Sequence, residues 1–331
     1  MRKYLTGLLL TACLIGVVIT AAGCSKGDSK NGKQTEKPQS GKTEQRGSKT
    51  VTAEYNQDEE AIIGDGVVYE ILEGSSSAMR VASYYDVALE DITIPNTVVY
   101  EEKEYQVTEI GESAFESNVL LRRIVLPEGM KTVGNSAFYA CPELAEVIFS
   151  NTVENIGTSC FAECPKLSQI QLPSSLKSLG MESFSNCVAL QSIAIPGGIT
   201  SIDNAVFYGC EQLTECQFEE GVTQIGNEMF TNCEALTKVA IPESVTMIGM
   251  EAFWGCGALT EIALPDQISV IGDRAFYSTG LKQLRLPESL SGVTLELLEG
   301  MDVLEKILVP ESKQKNYEDV FQNYGVTIET Y

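Results

Sequence analysis

Histidine is absent from the 331 residues, and with it the commonest general base and metal ligand at neutral pH. Nucleophile pairs of the Ser–His or Cys–His kind are excluded on the same ground. Positive charge is also scarce: 23 Lys and Arg stand against 46 Asp and Glu, and the segment 51–331 holds 14 against 43, a net charge of −29. Such a surface repels nucleic acid and anionic lipid, so a nucleic-acid partner is not expected. Carboxylates are so widespread that no Asp/Glu pair can be singled out for acid–base chemistry. They predict only diffuse, weak attraction of calcium or another hard cation, with no defined metal site and no cofactor. Tryptophan occurs once, at Trp254.

What the sequence has in abundance is repetition. Phenylalanine recurs at Phe115, Phe138, Phe161, Phe184, Phe207, Phe230, Phe253 and Phe276, always 23 residues apart. Cysteine keeps the same period three residues later, at Cys141, Cys164, Cys187, Cys210, Cys233 and Cys256. Proline does so at Pro127, Pro173, Pro196, Pro242 and Pro265, skipped only at Ser150 and Glu219; after Phe276 one residue is lost, and proline resumes at Pro287 and Pro310. A fixed period in this range marks a solenoid, whose coils bury their apolar faces only by stacking on one another.

One unit, LTKVAIPESVTMIGMEAFWGCGA, shows how a coil is built. Leu236, Val239 and Ile241 follow the spacing L-x-x-V-x-I of a leucine-rich-repeat strand. Pro242 ends that strand because it has no N–H to donate. Val245 and Ile248 point inward after a polar turn, and Gly249 is expected to permit a backbone bend. Glu251, Ala252 and Phe253 are expected to form one tight helical turn that drives the ring inside. Stacked coils then form a parallel sheet at a spacing of about 4.7–4.9 Å. The phrase L-x-x-I-x-L-P-x-x-V-x-x-I-G-x-x-A-F-x-x-C resembles the BspA-like (Treponema pallidum type) leucine-rich repeats of bacterial surface proteins, over residues 92–310. The stretch ITIPNTVVYEEKEYQVTEIG resembles the widened first repeat, with an inserted hairpin, of such arrays. The resemblance implies exposure at the cell surface and, in some members, adhesion to host matrix proteins or other cells. It implies no single ligand.

The ends read differently. Residues 1–23 combine Arg2 and Lys3, an apolar run from Leu5 to Ala22 and small residues, the layout of a secretory signal. The junction AAGC resembles the lipobox of bacterial lipoproteins, which implies lipidation at Cys24; Ala21 stands where leucine is commoner, and an uncleaved anchor helix is the alternative. Either reading places the rest outside the cytoplasm, tethered to a membrane. Residues 24–50 lack large apolar side chains and read as a disordered stalk. Because terminal coils expose an apolar face, residues 51–91 are expected to form a β-hairpin cap from GVVYEIL and MRVASYY. Residues 311–331 are expected to form an α/β cap, with Tyr317, Val320, Phe321 and Tyr324 on one helical face, Gly325 as the stop and VTIETY as a last strand. The predicted fold is a mainly β leucine-rich-repeat solenoid of 23-residue coils with short helical turns.

Cysteine does not suggest an enzyme. Cys160 takes the place held elsewhere by Ala114, Ala137 and Ala252, and Cys216 that of Ile193 and Val239, so these thiols behave as small buried hydrophobes. Neighbouring cysteines in the six-residue column have parallel Cβ vectors, which sets the Cβ atoms too far apart for a bridge, and free thiols are expected. Two rows are candidates for binding. The outward strand position reads Val125, Ile148, Gln171, Ala194, Gln217, Ala240, Ala263, Arg285 and Leu308, an almost uncharged stripe on an acidic protein. The position after the buried Phe holds Tyr139, Tyr208, Trp254 and Tyr277, aromatic residues of the kind enriched in interface hot spots. Each row has a purely structural alternative, packing with its neighbours. The favoured function is a surface lipoprotein that binds a protein or glycan. A structural envelope lipoprotein is the second reading, and an extracellular hydrolase the last.

Overall fold

The L-x-x-V-x-I spacing becomes strand, and the 23-residue period becomes register. A computed structural model describes residues 49–321 and 324–331. In it Ile193 lies beside Cys216 and Cys216 beside Val239, in parallel strands Ser192–Ile195, Glu215–Phe218 and Lys238–Ala240. The same row continues as Asp91–Thr93, Arg123–Val125 and Glu146–Ile148 on one side, and as Gln283–Arg285, Lys306–Val309 and Thr327–Thr330 on the other. The row therefore consists of three three-stranded parallel sheets. The coils at 169–172 and 261–264 separate them and form no strand.

A second row of short strands runs from Lys103–Ile110 through Thr132–Val133, Asn155–Ile156 and Ser178–Leu179 to Ser201–Ile202, and resumes at Gln224–Ile225. Its break follows Asp203, which stands where the other coils carry Gly157, Gly180, Gly226 and Gly249. These glycines serve close approach rather than the expected bend. A Cβ on Gly180 would lie 2.4 Å from the Thr158 nitrogen, and one on Gly249 2.5 Å from that of Asn227; neither has the positive φ that would make it a turn glycine.

Between the two rows the phenylalanines form one stack. Phe115 to Phe276 are all fully buried, with successive ring centroids 5.2–5.7 Å apart and planes within 12° of parallel. Tyr84 extends the stack at 5.9 Å. The segment carrying each ring is a non-helical turn in place of the expected helical one. Glu251 lies at φ 56° and Gly255 at φ 73°, two residues before and after Phe253. This alternation sends every second N–H to the next coil: Glu251 to the Asp273 carbonyl, Phe253 to Ala275 and Gly255 to Tyr277, at 2.8–3.0 Å. A continuing helix would have kept those donors within its own coil.

Both ends are closed. Strands Glu54–Asn56, Ala61–Gly64, Val67–Ile71 and Ala78–Tyr84 form an antiparallel meander, and the last of them also pairs in parallel with Lys103–Ile110. The first rung of the solenoid thus lies inside the segment read as a cap. Thr97–Tyr100 and Lys103–Ile110 form the hairpin of the widened first repeat, and Thr50–Thr52 pairs in parallel with Thr97–Tyr100. Pairing starts ahead of residue 51, for the Lys49 N–H donates to Asn96 Oδ1 at 3.0 Å. At the other end, helix Gln314–Phe321 buries Tyr317 and Phe321, Gly325 turns the chain at φ 72°, and Thr327–Thr330 completes the sheet. The described residues, 49–321 and 324–331, belong to one compact unit. The segment read as a signal, 1–23, with Cys24 and the segment read as a stalk up to residue 48, lies outside the described residues. Among the described residues, no helix is long and apolar enough to cross a membrane.

Candidate binding face

The outward stripe is brought together where the strands pair. Val125 lies beside Ile148, Ala194 beside Gln217, Gln217 beside Ala240, and Arg285 beside Leu308. Gln171 and Ala263 occupy the two interruptions of this row. Gln171, Ala194, Gln217, Ala240 and Ala263 are exposed, whereas Val125, Ile148, Arg285 and Leu308 are half-buried. Arg285 is already engaged: its guanidinium donates to Asp266 at 2.8 Å and lies 3.9 Å from the centre of the Tyr331 ring. The Asp266 carboxyl is held below its ordinary range by that hydrogen bond.

Over the first interruption the face sinks into an open depression of about 1070 Å³, lined by side chains of four successive coils from Glu146 to Glu219. Its floor is the chain from Gln169 to Leu172, whose backbone groups hydrogen-bond to neither adjacent coil among the described residues. The last coil-to-coil bond before it is Gln191 N–H to the Ser168 carbonyl, at 3.1 Å. Asn151, Gln169, Ser174 and Ser192 form the uncharged polar lining with Gln171 and Gln217. Of these six, only the last two belong to the predicted stripe. The available signal was the pair of glutamines flanking Ile170, unmatched in the other coils.

The aromatic row divides. Trp254 and Tyr277 stack face to face, with ring centroids 3.8 Å apart. Gly300 closes the stack, since a Cβ there would lie 2.3 Å from the Tyr277 ring. Both faces of Tyr277 are therefore used inside the protein. The Tyr208 hydroxyl accepts a long hydrogen bond of 3.4 Å from Asn232. Tyr139 stands apart, separated from Tyr208 by Ala162 and Ser185 in the same row. Only Trp254 and Tyr277 stack on each other, and none of the four lines the depression.

All eight cysteines of the repeat region are free and buried. Five of the column thiols donate to the phenylalanine carbonyl of the preceding coil at 3.1–3.2 Å: Cys141, Cys164, Cys187, Cys233 and Cys256; Cys210 does so at 3.3 Å. The column ends on polar side chains that bond within their own coil instead. Thr279 donates to the Phe276 carbonyl at 2.8 Å, and Asn118 accepts the N–H groups of Leu120 and Leu121. Burial pushes the Cys187 thiol up to about 12, the opposite of what a nucleophile or metal ligand requires. Among the described residues, no group of three or more Cys, Asp and Glu side chains is placed to hold a metal ion.

A model of the BspA type leucine-rich repeat region matches residues 77–214 and 200–327, in six copies. The chain belongs to the BspA-type leucine-rich repeat family. A leucine-rich repeat protein from Bacteroides ovatus superposes with a TM-score of 0.66 at 24% identity, over 81% of this chain and 76% of that one. The Treponema pallidum leucine-rich repeat protein gives 0.54 at 25% identity, over 59% and 88%. A leucine-rich cell surface protein from Faecalibacterium prausnitzii gives 0.51 at 22%, over 76% and 71%. No curated protein matches the sequence of this BspA-type chain.

Proposed function

We propose that this BspA-type protein is a non-enzymatic recognition module that binds a protein or glycan through the sheet face of its solenoid. The supporting observation is the face itself: Gln171, Ala194, Gln217, Ala240 and Ala263 run exposed across five coils without a charge, on a segment whose net charge is −29. Repeat proteins use such extended faces because successive coils present equivalent positions in line. We further propose that Cys24 is lipidated and holds the protein at the bacterial cell surface. The relative from Faecalibacterium prausnitzii is described as a cell surface protein, which agrees with that location.

A binding screen of the protein over arrayed matrix proteins and glycans tests the first claim, run beside the triple variant Ala194→Glu, Ala240→Glu, Ala263→Glu. A saturable ligand lost in the variant supports recognition through the sheet face. A ligand bound equally well by the variant removes that face from consideration. For the anchor, Cys24→Ala is expected to abolish incorporation of labelled fatty acid, and persistent labelling refutes it.

A further inference from the structure

The depression over residues 169–172 differs from the paired parts of the sheet face in its hydrogen-bonding. Several short polar side chains of the solenoid are committed to the preceding coil: Ser175 donates to the Val153 carbonyl at 2.6 Å, Ser244 to Val222 at 2.7 Å and Thr214 to Gln191 at 3.0 Å. Asn151, Gln169, Gln171, Ser174, Ser192 and Gln217 are exposed and make no such bond among the described residues. Four amides and two hydroxyls thus stand uncommitted around one hollow, beside a stretch of unpaired backbone.

Two of the three carboxylates in the hollow are neutralised, and the third is held by a backbone N–H. The hollow's only charged lining residues are Glu146, Glu215 and Glu219. Glu146 is paired with Arg123 at 2.8 Å and Glu215 with Lys238, while Glu219 accepts the Gly197 N–H at 3.1 Å. An anionic ligand would meet the field of the whole acidic segment, and a cationic one would find two of the three carboxylates already paired with basic side chains. Across successive coils the outward position reads Ile148, Gln171, Ala194, Gln217, alternating apolar and amide at a coil spacing of about 4.8 Å.

Resting on the sheet-face reading above, we propose that this depression is a subsite for an extended uncharged glycan. Sugar hydroxyls donate and accept at once, as amides and hydroxyls do, and the C–H faces of the rings match Ile148 and Ala194. An extended peptide fits less well. Strand addition needs an open edge, and the coils carrying Glu146–Ile148 and Ser192–Ile195 occupy both flanks of Gln169–Leu172.

The test is calorimetric titration of the full chain with hexamers of β-1,4-linked N-acetylglucosamine, β-1,4-linked glucose and galacturonic acid. One uncharged hexamer is expected to bind saturably, with an affinity constant within about twofold between 50 and 500 mM salt because no net charge is neutralised. Gln171→Glu with Gln217→Glu, which keeps shape but removes two amide donors and adds charge, is expected to weaken it at least about tenfold. The galacturonic acid hexamer is expected not to bind. Failure of both uncharged hexamers, undiminished binding by the double variant, or preference for the anionic hexamer or for an extended peptide overturns the proposal. A second variant, Ala240→Glu with Ala263→Glu, separates the two levels of inference. A ligand lost there but kept by the glutamine variant leaves the sheet-face reading standing and removes only this subsite.

Discussion

At the scale of the residue, the repeated positions answer to neighbours one coil away, 22 to 26 residues along the chain. Glycine is the sharpest case, because its absent Cβ is what lets two coils approach. Gly180→Ala would place a methyl group 2.4 Å from the Thr158 nitrogen and 2.5 Å from the Gly157 carbonyl carbon. Backbone on the receiving side cannot rotate away, so a loss of about 1–3 kcal/mol is expected, as for other overpacked sites. Gly257→Ala is the control. No atom lies within 4 Å of its Cβ position and its φ is not positive, so the denaturation midpoint is expected to stay level or rise slightly. Equal losses at the two sites would refute the close-approach explanation.

The cysteines give a pH dependence of definite sign. Burial raises the thiols of Cys160, Cys187, Cys210, Cys216, Cys233 and Cys256, with Cys187 at about 12. An unfolded thiol titrates near 8.5. Above that pH the unfolded chain binds fewer protons than the folded one, so stability falls as pH rises. The contribution is complete below about pH 8.5 and is lost progressively toward pH 12, at about 1.4 kcal/mol per pH unit per thiol. The urea midpoint is expected to drop steeply between pH 8 and pH 10, and less steeply with Cys187→Ala and Cys210→Ala. A midpoint flat across that range would mean that the thiols ionise while folded.

At the scale of the element, what the sequence made legible was the register and what it concealed was the pairing. The Phe column, the inward row and the C-terminal helix could be read because each is a periodicity of side chains. Gln169-Ile170-Gln171-Leu172 carries the same outward–inward alternation as the paired Ser192-Ile193-Ala194-Ile195, yet only the second is a strand. The difference lies in how adjacent backbones meet, which alternation does not encode. The turn around Phe253 escaped for a similar reason: Glu251 is an ordinary helix former, and its left-handed φ is imposed by the bond to Asp273 in the next coil. The uncommitted amides of the depression were hidden because an exposed glutamine looks the same in sequence whether or not it has a partner. Unpaired amides should exchange quickly. In native-state hydrogen exchange, those of Gln169–Leu172 are expected to exchange well ahead of Ile193 and Ile195. Equal protection would show that the coil is paired in solution.

At the scale of the whole molecule, a solenoid is only as stable as its ends, because an uncovered coil exposes the apolar face that its neighbour would bury. The C-terminal cap does two things at once. Strand Thr327–Thr330 covers the edge of Lys306–Val309, and helix Gln314–Phe321 seats Tyr317 and Phe321, 3% and 1% exposed, in the core. Burying two aromatic side chains contributes about 3–6 kcal/mol, and an open strand edge is a template for pairing with another chain. Truncation after Pro310 leaves Leu304, Ile307 and Val309 at the surface with a free edge beside them. The truncated protein is therefore expected to melt at lower temperature and to self-associate, as a sedimentation coefficient that rises with concentration. Acidic charge alone does not prevent this, since the exposed rung is apolar and contacts between rungs are shorter than the screening length at physiological salt. A truncated chain that stayed monomeric with an unchanged melting temperature would show that residues 311–331 decorate the last coil without closing it.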